Sequence, residues 1–340
     1  MSEALFDIRS LKKYFPIKRG LFQKQAGSVL AVDDVSLVVK RGMVLGVVGE
    51  SGCGKSTLAR VMLDLIPATS GQIFFDGEDV LNANKRDKRK FRSRVNMVFQ
   101  DPFSSLDPRM TVAKIVTEPM KAHKTLKGKE QLYRAVDLIE QCGLFADQIY
   151  RYPHQFSGGQ RQRICIARAL AAEPDFIVCD EAVSSLDVSI QAQVINLLLD
   201  LKDTHDLTYM FITHDLNVVR FISDEIVVMY LGQVVEKAPK EQLFENPLHP
   251  YTVALLNSVP EFDVDARKER IVLEGDVPSP SDPPPGCRFH TRCPSAQETC
   301  AGLAPELEAI GDGHYVRCHL TRPAGRMESE VRSQGSEYGG

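Results

Sequence analysis

The sequence has no long hydrophobic run and no marked excess of charge of either sign. Its longest apolar stretches, such as residues 226–231, are far shorter than the roughly 20 residues that a membrane-spanning helix needs. The 41 basic and 45 acidic residues give a net charge of −4, which argues against nucleic acid as the main partner. The first residues lack the basic and then apolar pattern of a secretory signal. We therefore expect a cytoplasmic protein, and a peripheral attachment to a membrane stays open.

The chain shows no internal repeat, and its 340 residues suffice for one substantial α/β domain with an appendage. Over about the first 235 residues, short apolar runs at 44–48, 176–179 and 209–212 alternate with helix-like segments. This alternation is typical of a mostly parallel sheet covered by helices. The segment 225–236 favours a hairpin, and residues 101–172 are mainly helical. We interpret the latter as a helical subdomain inserted into the sheet domain.

The composition changes in the last quarter of the chain. Five prolines within residues 277–286 exclude regular structure there. The final residues are rich in Gly, Ser, Arg and Glu, which predicts a disordered tail. We therefore divide the chain into a domain at 1–258, an extension at 259–322 and a tail at 323–340.

Residues 49–56 read Gly-Glu-Ser-Gly-Cys-Gly-Lys-Ser, which is a complete phosphate-binding loop between a predicted strand and a predicted helix. Its glycines let backbone N–H groups point at phosphate oxygens, and the helix adds its positive N-terminal end. In such a loop Lys55 reaches the β- and γ-phosphates and Ser56 binds Mg²⁺. The alternative is a glycine-rich turn with a chance lysine, but every motif position is filled. The predicted ATP contacts here are Gly49, Glu50, Ser51, Gly52, Cys53, Gly54, Lys55, Ser56 and Thr57.

Several predicted strands end in polar residues suited to hydrolysis. The run 176–179 is followed by Asp180, which suits a Mg²⁺ role, and by Glu181, which suits polarising the attacking water. An ordinary solvated acidic turn would look the same without the phosphate loop. Gln100 would sense Mg²⁺ or the attacking water, and His214 would contact the γ-phosphate, although each residue taken alone is usually structural.

The segment 156–160 reads Phe-Ser-Gly-Gly-Gln and precedes a helix-like run. A serine N-cap followed by glycines exposes backbone N–H groups, which makes a second helix start that can bind an anion. Because the chain has one full phosphate loop, we assign Ser157, Gly158, Gly159 and Gln160 to the γ-phosphate of ATP held by another subunit. A capped helix after a flexible turn is the alternative for this segment taken alone.

In their order and spacing, these motifs resemble the nucleotide-binding subunits of ABC transporters. The resemblance implies a P-loop NTPase cassette of the α/β class, with a mostly parallel core sheet, an antiparallel β subdomain, an inserted helical subdomain and a small cysteine-rich C-terminal extension. It implies a head-to-tail dimer with two ATP molecules at the interface and Mg²⁺ organised by Ser56, Gln100 and Asp180. It also implies an aromatic side chain on adenine. We prefer Phe15 to Tyr14 for this contact, with core packing as the alternative.

Further strings resemble one subgroup, the ATPases of oligopeptide and dipeptide importers, and especially the second (F-type) subunit of the pair. The strings are Tyr-Pro-His at 152–154, Asn-Pro at 246–247, His-Pro-Tyr-Thr at 249–252 and Pro-Ser-Pro at 278–280. This resemblance spans about residues 5–320. It implies ATP-driven peptide import at the cytoplasmic face of a bacterial inner membrane, with a permease helix docked near residues 101–111.

The partners that this subgroup implies are a second, homologous ATPase subunit, two transmembrane permease subunits and an extracytoplasmic solute-binding protein, with no nucleic acid. Two alternatives stay open. One is an importer ATPase for a related solute such as nickel or glutathione. The other is a soluble ABC ATPase with no role in transport.

Four of the eight cysteines lie in one stretch, namely Cys287, Cys293, Cys300 and Cys318. Structural zinc sites usually contain Cys-x2–4-Cys pairs, and this stretch has none. In a reducing cytosol, its thiolates suit a distorted zinc site or a [4Fe–4S] cluster equally. Four unligated thiols are a weaker alternative, because a short proline-rich segment needs a staple. The resemblance to importer ATPases favours a structural iron–sulfur cluster, and zinc stays the alternative.

Overall fold

The computed structural model describes residues 3–19, 24–258, 275–311 and 313–321. Within them the strands are β1 (Ala4–Arg19), β2 (Lys24–Lys40), β3 (Val44–Val48), β4 (Ser70–Phe75), β5 (Glu78–Asp79), β6 (Val95–Val98), β7 (Phe176–Asp180), β8 (Thr208–Ile212), β9 (Glu225–Tyr230), β10 (Gln233–Pro239), β11 (Glu308–Gly311) and β12 (His314–Val316). They form an eight-stranded sheet in the order β11-β12-β10-β9-β3-β8-β7-β6 and a four-stranded sheet in the order β2-β1-β4-β5.

Helices cover these sheets. In chain order they are α1 (Lys55–Met62), α2 (Lys85–Arg94), α3 (Pro102–Ser105), α4 (Val112–His123), α5 (Lys129–Gln141), α6 (Gly158–Leu170), α7 (Val188–His205), α8 (Leu216–Ile222), α9 (Lys240–Glu245), α10 (Pro250–Asn257) and α11 (Glu298–Gly302). Short 3₁₀ turns lie at Ala146–Tyr150, Pro153–Gln155 and His319–Thr321. Across the part of the chain that the structure describes, no helix has the length and apolar character needed to span a bilayer.

The centre of the large sheet is parallel. Strand β3 pairs in parallel with β8 and β9, and β7 pairs in parallel with β6 and β8. All residues of β3, β7 and β8 are buried, as expected for strands that helices cover on both faces. The predicted α/β class with a mostly parallel core sheet is therefore confirmed. The carboxyl ends of these strands meet at one edge of the sheet, which is where ligands bind in open α/β folds.

The cysteine-rich extension contributes to this same sheet. The predicted hairpin of β9 and β10 is confirmed, with Tyr230 opposite Gln233. Strand β12 then pairs with β10, and β11 pairs with β12. The sequence analysis treated this extension as an appendage and missed both strands. They have only four and three residues, which is too short for a recognisable alternation.

The four-stranded sheet is antiparallel, as the antiparallel β subdomain predicted from the sequence requires. Its inner face packs on the core through aromatic side chains. Phe6 of β1 lies edge-on to Phe75 of β4 at 4.9 Å and to Phe176 of β7 at 4.7 Å between ring centroids. Edge-to-face pairs add to the free energy gained by burying the rings. These contacts hold the N-terminal strands beside the phosphate loop.

Residues 101–172 contain α3 to α6 and, throughout this fully described range, no strand. Their apolar side chains pack around Val116, Leu138 and Ile164, which are fully buried. The division into domains stays a prediction. The predicted tail at 323–340 and residues 259–274 of the predicted extension lie outside the described residues.

Candidate functional site

The phosphate loop joins β3 to α1 in a conformation that two of its glycines make possible. Gly49 has φ of 147° and Gly54 has φ of 106°. A Cβ atom at Gly49 would lie 2.2 Å from the carbonyl oxygen of Met229, and one at Gly54 would lie 2.0 Å from that of Ala31. Both positions therefore exclude any other residue. Gly52 differs, because nothing lies within 4 Å of the place of its Cβ. The loop is open to a ligand on that side.

The side chain of Lys55 folds back onto the phosphate loop and bonds to its carbonyl groups. Its Nζ donates to the carbonyl oxygens of Gly49 at 2.7 Å and Glu50 at 3.0 Å. The side chain is only 5% exposed, and a buried ammonium group needs such partners. Cys53 is also buried, and burial raises the pKa of its thiol. The backbone of Cys53 is also bonded within the fold, since its N–H donates to the carbonyl oxygen of Glu50 at 3.3 Å and its carbonyl oxygen accepts from the N–H of Gly232 at 2.9 Å.

Ser56 and Asp180 form a pair across the sheet edge. The Ser56 hydroxyl donates to Oδ1 of Asp180 at 2.8 Å. Burial raises the pKa of Asp180, against the opposing effect of this hydrogen bond. A hydroxyl and a carboxylate are hard oxygen ligands of the kind that Mg²⁺ prefers, and a cation would favour the ionised carboxylate. The pair therefore fits a Mg²⁺ site.

Glu181 lies between two other predicted site residues. Its Oε2 accepts a hydrogen bond of 2.8 Å from Nε2 of Gln100, and its Oε1 is 3.7 Å from Nδ1 of His214. His214 is 63% exposed. Glu181 has φ of 48°, and its backbone N–H donates to the carbonyl oxygen of Ile212 at 2.9 Å. The structure thus brings the three predicted catalytic residues together at the ends of β6, β7 and β8.

A cavity of about 420 Å³ opens over the phosphate loop. Residues Ser51 to Thr57, except Cys53, line it together with Phe15, Gln100, Glu181 and residues of β2. Phe15 is 39% exposed, and the ammonium of Lys13 lies 4.7 Å from its ring centroid. Core packing therefore does not account for Phe15. The hydroxyl of Tyr14 is instead bonded to Asp33, so Phe15 is the aromatic ring available to an adenine.

The N-terminus of α6 carries the predicted second anion site. Ser157 is the N-cap, and its hydroxyl accepts from the N–H of Gln160 at 3.3 Å. The Gln160 side chain accepts in return from the N–H of Ser157 at 3.1 Å, which completes a capping box. None of these residues lines the cavity over the phosphate loop. Within the described part of the chain, the structure does not bring the two anion sites together.

The sequence analysis missed the environment of Glu50. Its N–H donates to the Tyr251 hydroxyl at 2.9 Å, and its carboxylate accepts from both terminal nitrogens of Arg292 at 2.8 Å and 3.1 Å. Arg292 comes from the cysteine-rich extension, 242 positions away. Nothing in the local sequence predicts such a contact. The sequence predicts an ATP contact at Glu50, whereas in the structure its N–H bonds to Tyr251 and its carboxylate to Arg292.

The four C-terminal cysteines are neighbours in the structure. The N–H of Cys287 donates to the carbonyl oxygen of Cys300 at 2.8 Å. Burial, with smaller effects of the three other thiols of the stretch, raises the pKa of Cys287 to about 11. In the described residues, no group of three or more His, Cys, Asp or Glu side chains is already arranged to hold a metal ion. The thiols are close enough to interact, but they are not in ligand geometry, so the cluster stays a prediction.

The α/β fold, the glycine-dependent phosphate loop and the Ser56–Asp180 pair define the chain as an ATP-binding cassette. Comparison with known proteins agrees. A family model described as "ABC transporter" matches residues 32–184, and one described as "Oligopeptide/dipeptide transporter, C-terminal region" matches residues 235–300. Among solved structures, the dimeric post-hydrolysis state of the cassette MJ0796 bound to ADP and Pi is 28% identical, with a TM-score of 0.61. The match covers 69% of this chain and 98% of that one.

Curated relatives match almost the whole length. The oligopeptide transport ATP-binding protein AppF of Bacillus subtilis is 52% identical over 321 residues, which cover 94% of this chain and 98% of AppF. The dipeptide transport ATP-binding protein DppF of Haemophilus influenzae is 48% identical over 314 residues, which cover 92% and 96%. The chain therefore belongs to the family of oligopeptide/dipeptide ABC transporter ATP-binding proteins.

Proposed function

We propose that this protein is the ATP-hydrolysing subunit that powers import of di- or oligopeptides through an ABC transporter. The observation that carries hydrolysis is the position of Glu181, held by Gln100 beside the Ser56–Asp180 pair at the cavity mouth. The peptide solute rests on the relatives, which are named as oligopeptide and dipeptide transport proteins.

In this mechanism, the loop carbonyls of Gly49 and Glu50 position the Lys55 ammonium, which has three N–H donors and so can also donate to the phosphates of ATP. Ser56 and Asp180 would hold Mg²⁺, which neutralises charge on the β- and γ-phosphates. The Glu181 carboxylate accepts a proton from the attacking water. Gln100 keeps that carboxylate oriented, and His214 supports the γ-phosphate. Phe15 covers the adenine.

We further propose that Ser157 to Gln160 serve the γ-phosphate in a partner cassette, so that two cassettes close on two ATP molecules. Their separation from the cavity of their own chain supports this arrangement. The proposed partner is a second, homologous ATPase subunit. Two transmembrane permeases and an extracytoplasmic solute-binding protein complete the transporter, which places this chain at the cytoplasmic face of a bacterial inner membrane.

For the cysteine-rich extension, proposed here as 259–322 after a cassette at 1–258, we propose a [4Fe–4S] cluster on Cys287, Cys293, Cys300 and Cys318. The backbone hydrogen bond of 2.8 Å from Cys287 to Cys300, which brings two parts of this stretch together, supports a shared site. A brown anaerobic preparation with iron and acid-labile sulfide in stoichiometric amounts is the expected result. Stoichiometric zinc without sulfide would favour the zinc alternative instead.

The function is tested in proteoliposomes that contain the chain with its permeases and second ATPase subunit. The expected result is ATP hydrolysis and peptide uptake that are both stimulated by the peptide-loaded binding protein. In the Glu181→Gln variant, both should be lost. Uptake of nickel or glutathione in place of peptide would identify a related importer, and hydrolysis without any coupled uptake would contradict a transport role.

A further inference from the structure

The phosphate loop is held from outside by a residue of the four-cysteine segment, which we define as residues 287–318. Arg292 places its two terminal nitrogens 2.8 Å and 3.1 Å from the two carboxylate oxygens of Glu50. The Arg292 side chain is 7% exposed and that of Glu50 is 26% exposed. A two-pronged, charge-assisted pair of this kind fixes orientation as well as distance.

A group of packed aromatic side chains restricts the movement of Arg292 and Glu50. The rings of Tyr230, Tyr251 and Phe289 lie 4.8–5.4 Å apart, and the Arg292 guanidinium lies 6.0 Å from the Tyr230 ring centroid. The Tyr251 hydroxyl also accepts from the N–H of Glu50. Glu50 is therefore held at its backbone and its side chain by buried groups that have little freedom to move.

Glu50 is also bonded directly to Lys55, the phosphate-binding lysine. The carbonyl oxygen of Glu50 accepts from Nζ of Lys55 at 3.0 Å, so a shift of Glu50 moves one of the two carbonyls that position the ammonium. A displaced ammonium binds the phosphates less well both before and during hydrolysis, so the loss should appear mainly in the affinity for ATP.

The same segment also reaches the opposite end of the cavity. The Arg288 guanidinium pairs with Asp33 and donates to the carbonyl oxygen of Leu231. Asp33 accepts from the Tyr14 hydroxyl, and Tyr14 precedes Phe15, which lines the cavity. Two arginines that lie next to Cys287 and Cys293 are thus linked to the phosphate end of the site through Glu50 and to its adenine end through Asp33 and Tyr14.

We infer that Arg292 is a positioning residue for ATP binding, which fixes the phosphate loop through Glu50 and links the four-cysteine segment to the affinity for ATP. The inference rests on the proposed role of the cavity as the ATP site. Arg292 acts through Glu50 and Lys55, and it does not itself contact the nucleotide.

The test compares Arg292→Gln, Arg292→Lys and Glu50→Gln in the full-length protein. The readouts are the Kd for MgATP, measured by displacement of a fluorescent ATP analogue, and the kcat of hydrolysis. Arg292→Gln should raise the Kd about tenfold, whereas kcat should fall less than about threefold. Arg292→Lys keeps the positive charge but cannot form the two-pronged pair, so its Kd for MgATP should lie between those of Arg292→Gln and the wild type. The double variant Glu50→Gln/Arg292→Gln should be no worse than Arg292→Gln alone, because both changes break the same pair.

Arg317→Gln is the matched control. Arg317 lies in the same segment, but its guanidinium donates to the carbonyl oxygens of Val234 and Pro305. Its removal should lower the melting temperature and leave the Kd for MgATP unchanged. If Arg292→Gln does not fold, Glu50→Gln decides in the same assay. A wild-type Kd in the folded variants, or additive effects in the double variant, would overturn the role of Arg292.

The proposed link between the four-cysteine segment and the affinity for ATP is tested by a separate pair of variants. Cys300→Ser should raise the Kd for MgATP when Arg292 is present and add little in the Arg292→Gln background. An equal increase in both backgrounds would disprove the link. A wild-type protein that binds no ATP would instead refute the proposed function, so the two failures are distinguishable.

Discussion

The side-chain amide of Gln100 donates a 2.8 Å hydrogen bond to Oε2 of Glu181, across the ends of two neighbouring parallel strands. The bond occupies one carboxylate oxygen and leaves Oε1 facing His214 at 3.7 Å. The free lone pairs of Oε1 are those that a water molecule at the γ-phosphate would use.

Glu181→Gln should reduce ATP hydrolysis by at least about 100-fold, because an amide cannot accept a proton from water at neutral pH. The affinity for ATP should persist. Glu173→Gln is a matched control, because Glu173 is an exposed glutamate that also has positive φ, at 55°, and it should hydrolyse ATP normally. Rates measured by phosphate release check both variants, and equal rates for Glu181→Gln and the wild type would refute the assignment.

Asp180→Asn should abolish Mg²⁺-dependent hydrolysis and yet stabilise the protein in Mg²⁺-free buffer. Burial raises the pKa of Asp180 above its value in the unfolded chain, so the ionised carboxylate destabilises the fold once the pH exceeds that unfolded value. An amide removes this cost. Differential scanning calorimetry at neutral pH should show a melting temperature higher by a few degrees. Added Mg²⁺ should stabilise the wild type and not the variant, and a lower melting temperature in Mg²⁺-free buffer would contradict this explanation.

His249 should make the protein less stable in mild acid. Its Nδ1 accepts from the N–H of Tyr251 at 3.1 Å, and burial lowers its pKa to about 4, against the opposing effect of Glu236. The unfolded chain takes up this proton near pH 6.5, and the folded protein only near 4, so stability falls as the pH drops between these values. The loss should reach about 3 kcal/mol.

His249→Asn keeps an acceptor at this N-cap and has no such titration. Urea unfolding at several pH values should therefore show a smaller pH dependence than in the wild type. His154→Asn, at an exposed position, should retain the wild-type dependence. If His249→Asn retained it too, another group would be responsible.

Phe15→Trp should report directly on adenine. The sequence contains no tryptophan, so the variant has a single indole in the cavity wall. Stacking of adenine on this ring should change its fluorescence when MgATP is added. Phe145→Trp, at an exposed position in the helical segment, should not respond. An unresponsive Phe15→Trp variant that still binds ATP would remove Phe15 from the site.

Much of the site follows from the sequence because its parts are local. A phosphate loop carries its glycines, Lys55 and Ser56 within eight positions, and the parallel strands β6, β7 and β8 bring Gln100, Glu181 and His214 to one edge of the sheet. Once the strand type is known, this convergence follows from geometry.

What the sequence did not reveal depends on distant pairing. Strand β12 has three residues and is defined only by its partner β10. The Arg292–Glu50 pair joins residues that lie 242 positions apart in the sequence. Neither feature has a periodicity or spacing of its own, because tertiary packing alone creates them.

The central claim is that each ATP is hydrolysed between two cassettes, and it is tested by the ATPase rate per chain as the protein is diluted. The variant Gly158→Asp changes the proposed second anion site without a steric clash, because a Cβ at Gly158 would lie 3.8 Å from its nearest neighbour, Cδ2 of Leu186. A Cβ at Gly159 would instead clash with Ile190 at 2.5 Å. The assay uses the chain with its homologous partner subunit, from micromolar to nanomolar concentrations. We predict a rate per chain that falls on dilution. In Gly158→Asp, we predict greatly reduced turnover with normal ATP affinity. A rate that stays constant on dilution, with full activity in Gly158→Asp, would contradict the shared site.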